Sequence, residues 1–201
     1  MTSTTVAATI VSVMTSSSLP SNFPITPIQV GTGGGVIGMA YCPGRSLVGV
    51  PSPEWDRDLT ADLDALREFG ASALISLMEA DELDQYGAPP ATLEAEVPAR
   101  AITWYHLPII DMSIPTEAFE ASWKTAGLEI RALLGDGESV VVHCLGGLGR
   151  TGMITARLLV EFGVDPEEAI RTVRAARSGA IQTVGQEHHV RSCQRTDDAC
   201  G

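Results

Sequence analysis

The chain has 201 residues, 44% of them apolar and 19% charged, with a formal net charge of −12. A chain of this size buries enough surface to fold without disulfide or metal staples. Its acidity argues against a general nucleic-acid or anionic-membrane binder, because both need basic surface, yet it leaves room for a small local anion site.

The first stretch, "MTSTTVAATIVSVMTSSSLPSN", carries no charged side chain. Its apolar run from Val6 to Met14 is short and diluted with Ala, Thr and Ser. A secretory signal needs a basic start and a stronger apolar centre, so residues 1–24 are expected to be a disordered leader. No run approaches the ~18 apolar residues of a membrane span. "TPIQV" and "GVIGMAYCPG" read as two short strands around "GTGGG". That run lacks the last glycine of a dinucleotide loop and no helical pattern follows it, so it reads as a turn.

Leu59, Leu63 and Leu66 in "DLTADLDALREFG" stand at helical spacing, with Gly70 as the stop. "ASALISLM" reads as a buried strand, and the proline-broken "EADELDQYGAPPATLEAEVPAR" as short helices and loops. "AITWYHLPII" is the next strand, rich in β-branched and aromatic residues. After "DMSIP" a helix is expected from about Thr116 to Leu134, with Pro115 near its start, Glu117 and Glu120 in its first turn and Gly135 closing it. "SVVVHC" is a continuous apolar strand of the kind covered on both faces. "RTGMITARLLVEFG" reads as a helix presenting Ile154, Leu158 and Phe162 on one face, and Gly163 ends it. "DPEEAIRTVRAAR" opens with an Asp cap and a first-position proline, and a last helix is expected from about Thr183 to Arg195.

Strands alternating with helices predict an α/β fold: one domain over residues 25–195, a mostly parallel central sheet flanked by helices, and a short tail at 196–201. The cysteines Cys42, Cys144, Cys193 and Cys200 are scattered, which speaks against a disulfide framework and for reduced thiols in the cytoplasm. Ligands of such sheets sit at the carboxyl ends of the strands. Cys144 follows one strand and Asp111 another.

The loop after Cys144 is Leu145, Gly146, Gly147, Leu148 and Gly149, followed by Arg150. Glycines let backbone N–H groups turn inward, and a ring of them at a helix start is a cradle for an anion. Arg150 adds a planar fork of donors matched to phosphate oxygens. The positive field of that cradle favours thiolate over thiol. An anionic sulfur facing a bound phosphate is a site for phosphoryl transfer to cysteine.

"HCLGGLGRTG" resembles the signature of the cysteine-dependent protein tyrosine and dual-specificity phosphatases, H-C-x5-R-[ST]. The likeness narrows to the cyclin-dependent kinase inhibitor 3 family, the kinase-associated phosphatases, through "HC-x-GGLGR", "TPIQV", "LPIID" and "SGAIQT", over roughly residues 25–193. The resemblance implies that fold and a phosphomonoester phosphatase that needs no metal or other cofactor and acts on a phosphorylated protein. Cys144 would be the nucleophile. Arg150 and the amides of residues 145–149 would bind phosphate, Thr151 would ease the departure of the sulfur, and His143 would buttress the loop. Asp111 would be the general acid, though an aspartate there could instead cap the next helix. Gln182 would place the hydrolytic water or merely form a turn between helices. Enzymes of this kind that act on inositol phosphates tend to carry Lys or His in the loop, and here all five residues are uncharged. A phosphoinositide or small-molecule phosphatase and a non-catalytic phosphate-binding module remain the rival readings. Asp136 and Glu138 precede their strand, at the wrong edge, and His189 with Cys193 offers only two metal ligands. Cys42 is the candidate partner for a disulfide with Cys144.

Overall fold

The computed structural model describes residues 23–47 and 55–196. Its strands are β1 (Thr26–Gln29), β2 (Val36–Tyr41), β3 (Ala71–Ser76), β4 (Thr103–His106) and β5 (Ser139–Cys144). They form one sheet in the order β1-β2-β5-β3-β4. The β1–β2 pair is an antiparallel hairpin over the glycine turn, and the other three pairings are parallel. β5 is central, and Val140, Val141 and Val142 are fully buried, as a strand covered on both faces requires.

One strand is shorter than its sequence suggests. β4 stops at His106, two residues before Pro108. The chain nonetheless follows β3 further. Leu107 and Ile109 donate N–H bonds to the Ser76 and Leu77 carbonyls at 3.0 and 3.1 Å. That extension carries the backbone past the carboxyl edge of the sheet, where Asp111 lies.

Seven α-helices are described: α1 (Leu59–Phe69), α2 (Ala80–Gln85), α3 (Pro90–Glu96), α4 (Glu117–Gly135), α5 (Gly149–Glu161), α6 (Pro166–Ala176) and α7 (Val184–Ser192). Asp58, Thr116, Asp165 and Thr183 cap their helices through side-chain oxygens. Two ends differ from expectation. Gly135 is still helical, and Gly137 takes the left-handed turn instead, at φ 86°. α7 ends at Ser192, before an extended Cys193, rather than at Arg195. Phe23, inside the expected leader, is buried edge-on against the Tyr41 ring at 5.1 Å. Residues 1–22 of that leader, Cys200 and the tail beyond Thr196 lie outside the described residues. No helix among the described residues is long and apolar enough to cross a membrane.

α5 departs most from its sequence pattern. An amphipathic helix with one apolar face was the expectation, yet every residue from Gly149 to Glu161 is buried. It packs on β5 and β2, with α6 and α7 against its other sides. Its polar residues are therefore inside and need partners. Glu161 supplies several: its carboxylate accepts from Trp123 Nε1 (2.9 Å), Arg131 Nη1 (2.7 Å) and Arg157 Nε (2.8 Å). The outer nitrogens of Arg157 reach Glu120 on α4 at 2.6 and 2.9 Å. This network ties α4 to α5. Removing one member of a buried ionic set strands its partners, so Glu161→Ala should cost about 3 kcal/mol. A urea titration checks it; an unchanged midpoint would show that the network adds nothing.

Candidate active site

The site is assembled at the carboxyl edge of the parallel strands. Tyr41 pairs with Cys144, and one row back His143 pairs with both Ala40 and Ser76. The chain then turns through residues 145–148 into α5. At Gly147 φ is 66°, and a Cβ there would lie 2.4 Å from the Ala40 carbonyl oxygen, so only glycine fits. A Cβ on Gly149 would lie 2.7 Å from Gln182 Oε1. The bare loop thus lets strand β2 and the α6–α7 turn close around it, besides freeing its amides.

Cys144 is buried at the end of β5, where the loop begins. Cys42 follows Tyr41, donates its N–H to the Leu145 carbonyl (3.3 Å) and turns its thiol toward the Pro43 carbonyl (3.5 Å). Burial raises the Cys42 pKa, and the neighbouring Cys144 adds to the rise.

Arg150 is the most constrained side chain here, at 1% exposure. Its Nη1 and Nη2 meet the two Glu82 oxygens at 2.6 and 3.0 Å. Nη1 also donates to the Ile109 carbonyl at 3.0 Å, and Nη2 lies 3.0 Å from Asp111 Oδ1. Only its Nε–H has no partner among the described residues. Burial works against the charge of Arg150, but Glu82, Cys144 and Asp111 together more than offset it and leave its pKa above the ordinary value. Burial likewise raises the Glu82 pKa, and the bonds from Arg150 and the Glu79 N–H outweigh it, leaving the carboxyl below its ordinary value.

Asp111 is 63% exposed and reaches into the site through Arg150. It is not a helix cap: Thr116 Oγ1 caps α4 by accepting from the Phe119 N–H. Its turn is closed by the Ser113 N–H bonding to the Ile110 carbonyl at 3.0 Å, with Met112 left-handed at φ 59°. Thr151 is fully buried, and its hydroxyl lacks a partner among the described residues. Gln182 follows Ile181, which is also left-handed at φ 58° and whose N–H bonds to the Leu148 carbonyl at 3.3 Å. The structure therefore gathers Cys144, Arg150, Asp111, Thr151 and Gln182 around one loop. Asp136 and Glu138 sit at the opposite end of β5, where Glu138 accepts from Ser72.

His143 precedes Cys144 in β5 and is wholly buried. Ser76 Oγ accepts from Trp104 Nε1 (2.8 Å) and lies 2.6 Å from His143 Nε2. Burial, offset only in part by the Cys144 backbone, pushes the His143 pKa down to about 3.

Four contributors escaped the sequence reading. Glu82 clasps Arg150 from 68 residues upstream, and nothing local marks it out among the carboxylates of "EADELDQ". Ser76 is legible only as a hydroxyl inside an apolar strand. Gln186 belongs to a T-x-x-Q capping box that the sequence does display, and it also bonds the Ser113 carbonyl at 3.3 Å, tying α7 to the Asp111 turn. Arg177 donates to the carbonyls of Gly146 (3.3 Å) and Met39 (3.2 Å), and no carboxylate among the described residues lies against it.

Comparison with known proteins gives one consistent result. A family model described as "Polymorphic toxin system, DSP-PTPase phosphatase" matches residues 48–164. Cyclin-dependent kinase inhibitor 3 of Homo sapiens is 31% identical over 137 residues, 67% of this chain and 62% of that protein. Protein tyrosine phosphatase type IVA 3 of Mus musculus is 30% identical over 125 residues, 62% of this chain and 66% of that protein. The chain thus spans a little under two thirds of the curated relatives it matches. The crystal structure of kinase associated phosphatase with its catalytic-site cysteine replaced by serine superposes with a TM-score of 0.70 at 25% identity, covering 85% of this chain and 93% of that one.

The buried neutral His143 sets a pH dependence. Its folded pKa of about 3 lies below the ordinary histidine value near 6.5, so between them only the unfolded chain takes the proton. Its contribution to stability is complete above pH ~6.5 and is lost as pH falls toward 3, by up to about 1.4 kcal/mol per pH unit. His143→Gln should flatten the fall in denaturation midpoint between pH 6.5 and 4. An identical slope in parent and variant would mean that His143 does not titrate in this way.

Proposed function

The chain belongs to the DSP-PTPase phosphatase family, and on that premise we propose that it hydrolyses phosphomonoesters of proteins through a phosphocysteine intermediate. The observation that carries this reading is the state of Arg150. Glu82, Ile109 and Asp111 occupy its outer nitrogens, and its one unpaired N–H belongs to the loop that begins at Cys144. A fixed guanidinium with a free donor beside a ring of glycine amides suits a phosphate whose phosphorus faces the sulfur.

The proposed steps follow from the placement of the side chains. The Cys144 thiolate attacks phosphorus, and a P–S bond forms as the P–O bond to the leaving group breaks. Asp111 gives its proton to the departing oxygen. Water, placed by the Gln182 side chain, then attacks phosphorus and passes a proton back to Asp111. The P–S bond breaks with the Thr151 hydroxyl donating to the departing sulfur, and inorganic phosphate is released. Arg150 and the amides of Leu145, Gly146, Gly147, Leu148 and Gly149 stabilise the equatorial oxygens in both steps. His143 holds the strand end rigid from behind. No step needs a metal or a cofactor.

Two features favour a singly phosphorylated protein over an inositol phosphate. The loop residues 145–149 carry no cation to meet a second phosphate. The relatives include cyclin-dependent kinase inhibitor 3 and protein tyrosine phosphatase type IVA 3. Having Cys144, Arg150 and Asp111 on one edge speaks against a purely phosphate-binding module, which has no use for an acid. The scattered cysteines fit a cytoplasmic setting.

Cys144→Ser should bring turnover of p-nitrophenyl phosphate to background while inorganic phosphate still binds, because the amide cradle and Arg150 survive. Substantial turnover by the serine variant would remove the covalent mechanism. Asp111→Asn tests the acid. Phenyl phosphate, a poor leaving group, should slow by about 10²–10⁴, and the activated p-nitrophenyl ester far less. The alkaline fall in kcat should vanish with it. Equal losses on both esters with an unaltered pH profile would exclude Asp111 as the proton donor.

A further inference from the structure

Five large apolar side chains are exposed among the described residues: Ile110, Met112, Ile114, Leu128 and Val184. Four of them gather at the candidate site. Ile110 and Met112 flank Asp111, whose carboxylate meets Arg150 at 3.0 Å. Ile114 reaches the start of α7, where its Cγ2 would lie 3.6 Å from a Cβ on Gly185, next to Val184. Gln186 joins the same two segments through the Ser113 carbonyl. These residues, on the Asp111 turn and at the start of α7, make an exposed apolar collar next to the residue that meets Arg150.

Met112 adds a second observation. It stands at φ 59°, where any side chain is strained and glycine is not, and its side chain is 52% exposed. A long apolar group in a strained position, with half its surface left to solvent, is only partly covered by the fold. Its use lies in contact with something outside the chain. Charge narrows what that is. Exposed carboxylates border the collar: Glu79 shares a groove with Ile110, and Glu117 opens α4 just beyond Ile114. An anionic bilayer or a polyphosphate would meet repulsion there, whereas a peptide with an apolar residue and then a cation would meet none.

The geometry points to substrate selection by this collar: it takes a large apolar side chain next to the phosphorylated residue of a polypeptide whose further flanks are basic. This rests on the proposed phosphatase reading, and it names the substrate class of that site.

Two phosphopeptides test it. Both carry lysines at their ends; one has leucine on both sides of the phosphorylated residue and the other glutamine. The leucine peptide should be hydrolysed with a kcat/KM at least about tenfold higher, the scale expected when a few methylenes enter an apolar site. The combined variant Met112→Gly, Ile114→Thr, Val184→Thr should bring that ratio to within about twofold of unity. A parent enzyme that turns over p-nitrophenyl phosphate yet treats both peptides alike overturns the collar and leaves the phosphatase reading standing, as does a variant that keeps the ratio. If neither ester nor peptide is hydrolysed, the phosphatase reading fails, and the ratio of peptide dissociation constants decides the collar by the same limits. Cosedimentation with phosphatidylcholine–phosphatidylserine vesicles gives the last arm. Binding that the combined variant abolishes, without peptide discrimination, would assign the collar to a membrane and overturn the proposal.

Discussion

The buried guanidinium of Arg150 is the constraint around which the site is arranged. A cation at 1% exposure is costly unless nearly every donor is met. Meeting them draws in Glu82 from α2, the Ile109 carbonyl from the extension of β4, and Asp111 from the turn beyond. Three chain segments distant in sequence are thereby fixed around the loop that follows β5. The shortened β4 follows the same logic. Leu107 and Ile109 keep their N–H bonds to β3 beyond the strand's end, and the Ile109 carbonyl accepts from Arg150.

The loop itself works by what it omits. Side chains at Gly147 and Gly149 would collide with the Ala40 carbonyl and with Gln182. Their absence brings β2 and the turn before α7 close enough to enclose residues 145–149. The outer support is polar as well. Arg177 holds the Gly146 carbonyl from one side, and Gln186 holds the Asp111 turn from another. Burial is the largest influence on the Arg177 pKa and pulls it below the ordinary arginine value. A partly desolvated cation behind the loop adds to the positive field that the amides already make.

Polar atoms inside the protein fall into two groups. Glu161 with Arg131 and Arg157, and Ser76 with Trp104 and His143, are paired and build the frame. Five buried side-chain atoms lack partners among the described residues: His143 Nδ1, Arg150 Nε, Thr151 Oγ1, Thr155 Oγ1 and His189 Nε2. Buried polar atoms are left unpaired only at a cost, and two of these five, on Arg150 and Thr151, belong to the first turn of α5, directly after the loop from Cys144. Left-handed Met112 and Ile181 sit next to Asp111 and Gln182, so backbone strain, too, is concentrated beside the candidate chemistry.

By itself the sequence determined the element order, the parallel α/β sheet and the loop from Cys144 to Arg150. These rest on local rules: an apolar run before a glycine loop, caps at Asp58, Thr116, Asp165 and Thr183, and a fixed spacing of cysteine and arginine. It also placed Asp111 at the right edge, since a parallel sheet sends strand ends the same way. The tertiary structure alone decided that Asp111 meets Arg150 rather than capping α4, that Glu82 is the partner of Arg150, and that α5 is buried on every side. Each of these depends on which distant segments pack together. A local pattern cannot choose one carboxylate among many, and it cannot show that a helix with an apolar stripe will be enclosed by a sheet on one side and helices on the others. The exposure of Ile110, Met112 and Ile114 was hidden for the same reason: in sequence they read as the apolar end of a strand and its turn, and only the fold leaves them facing solvent beside the phosphate cradle.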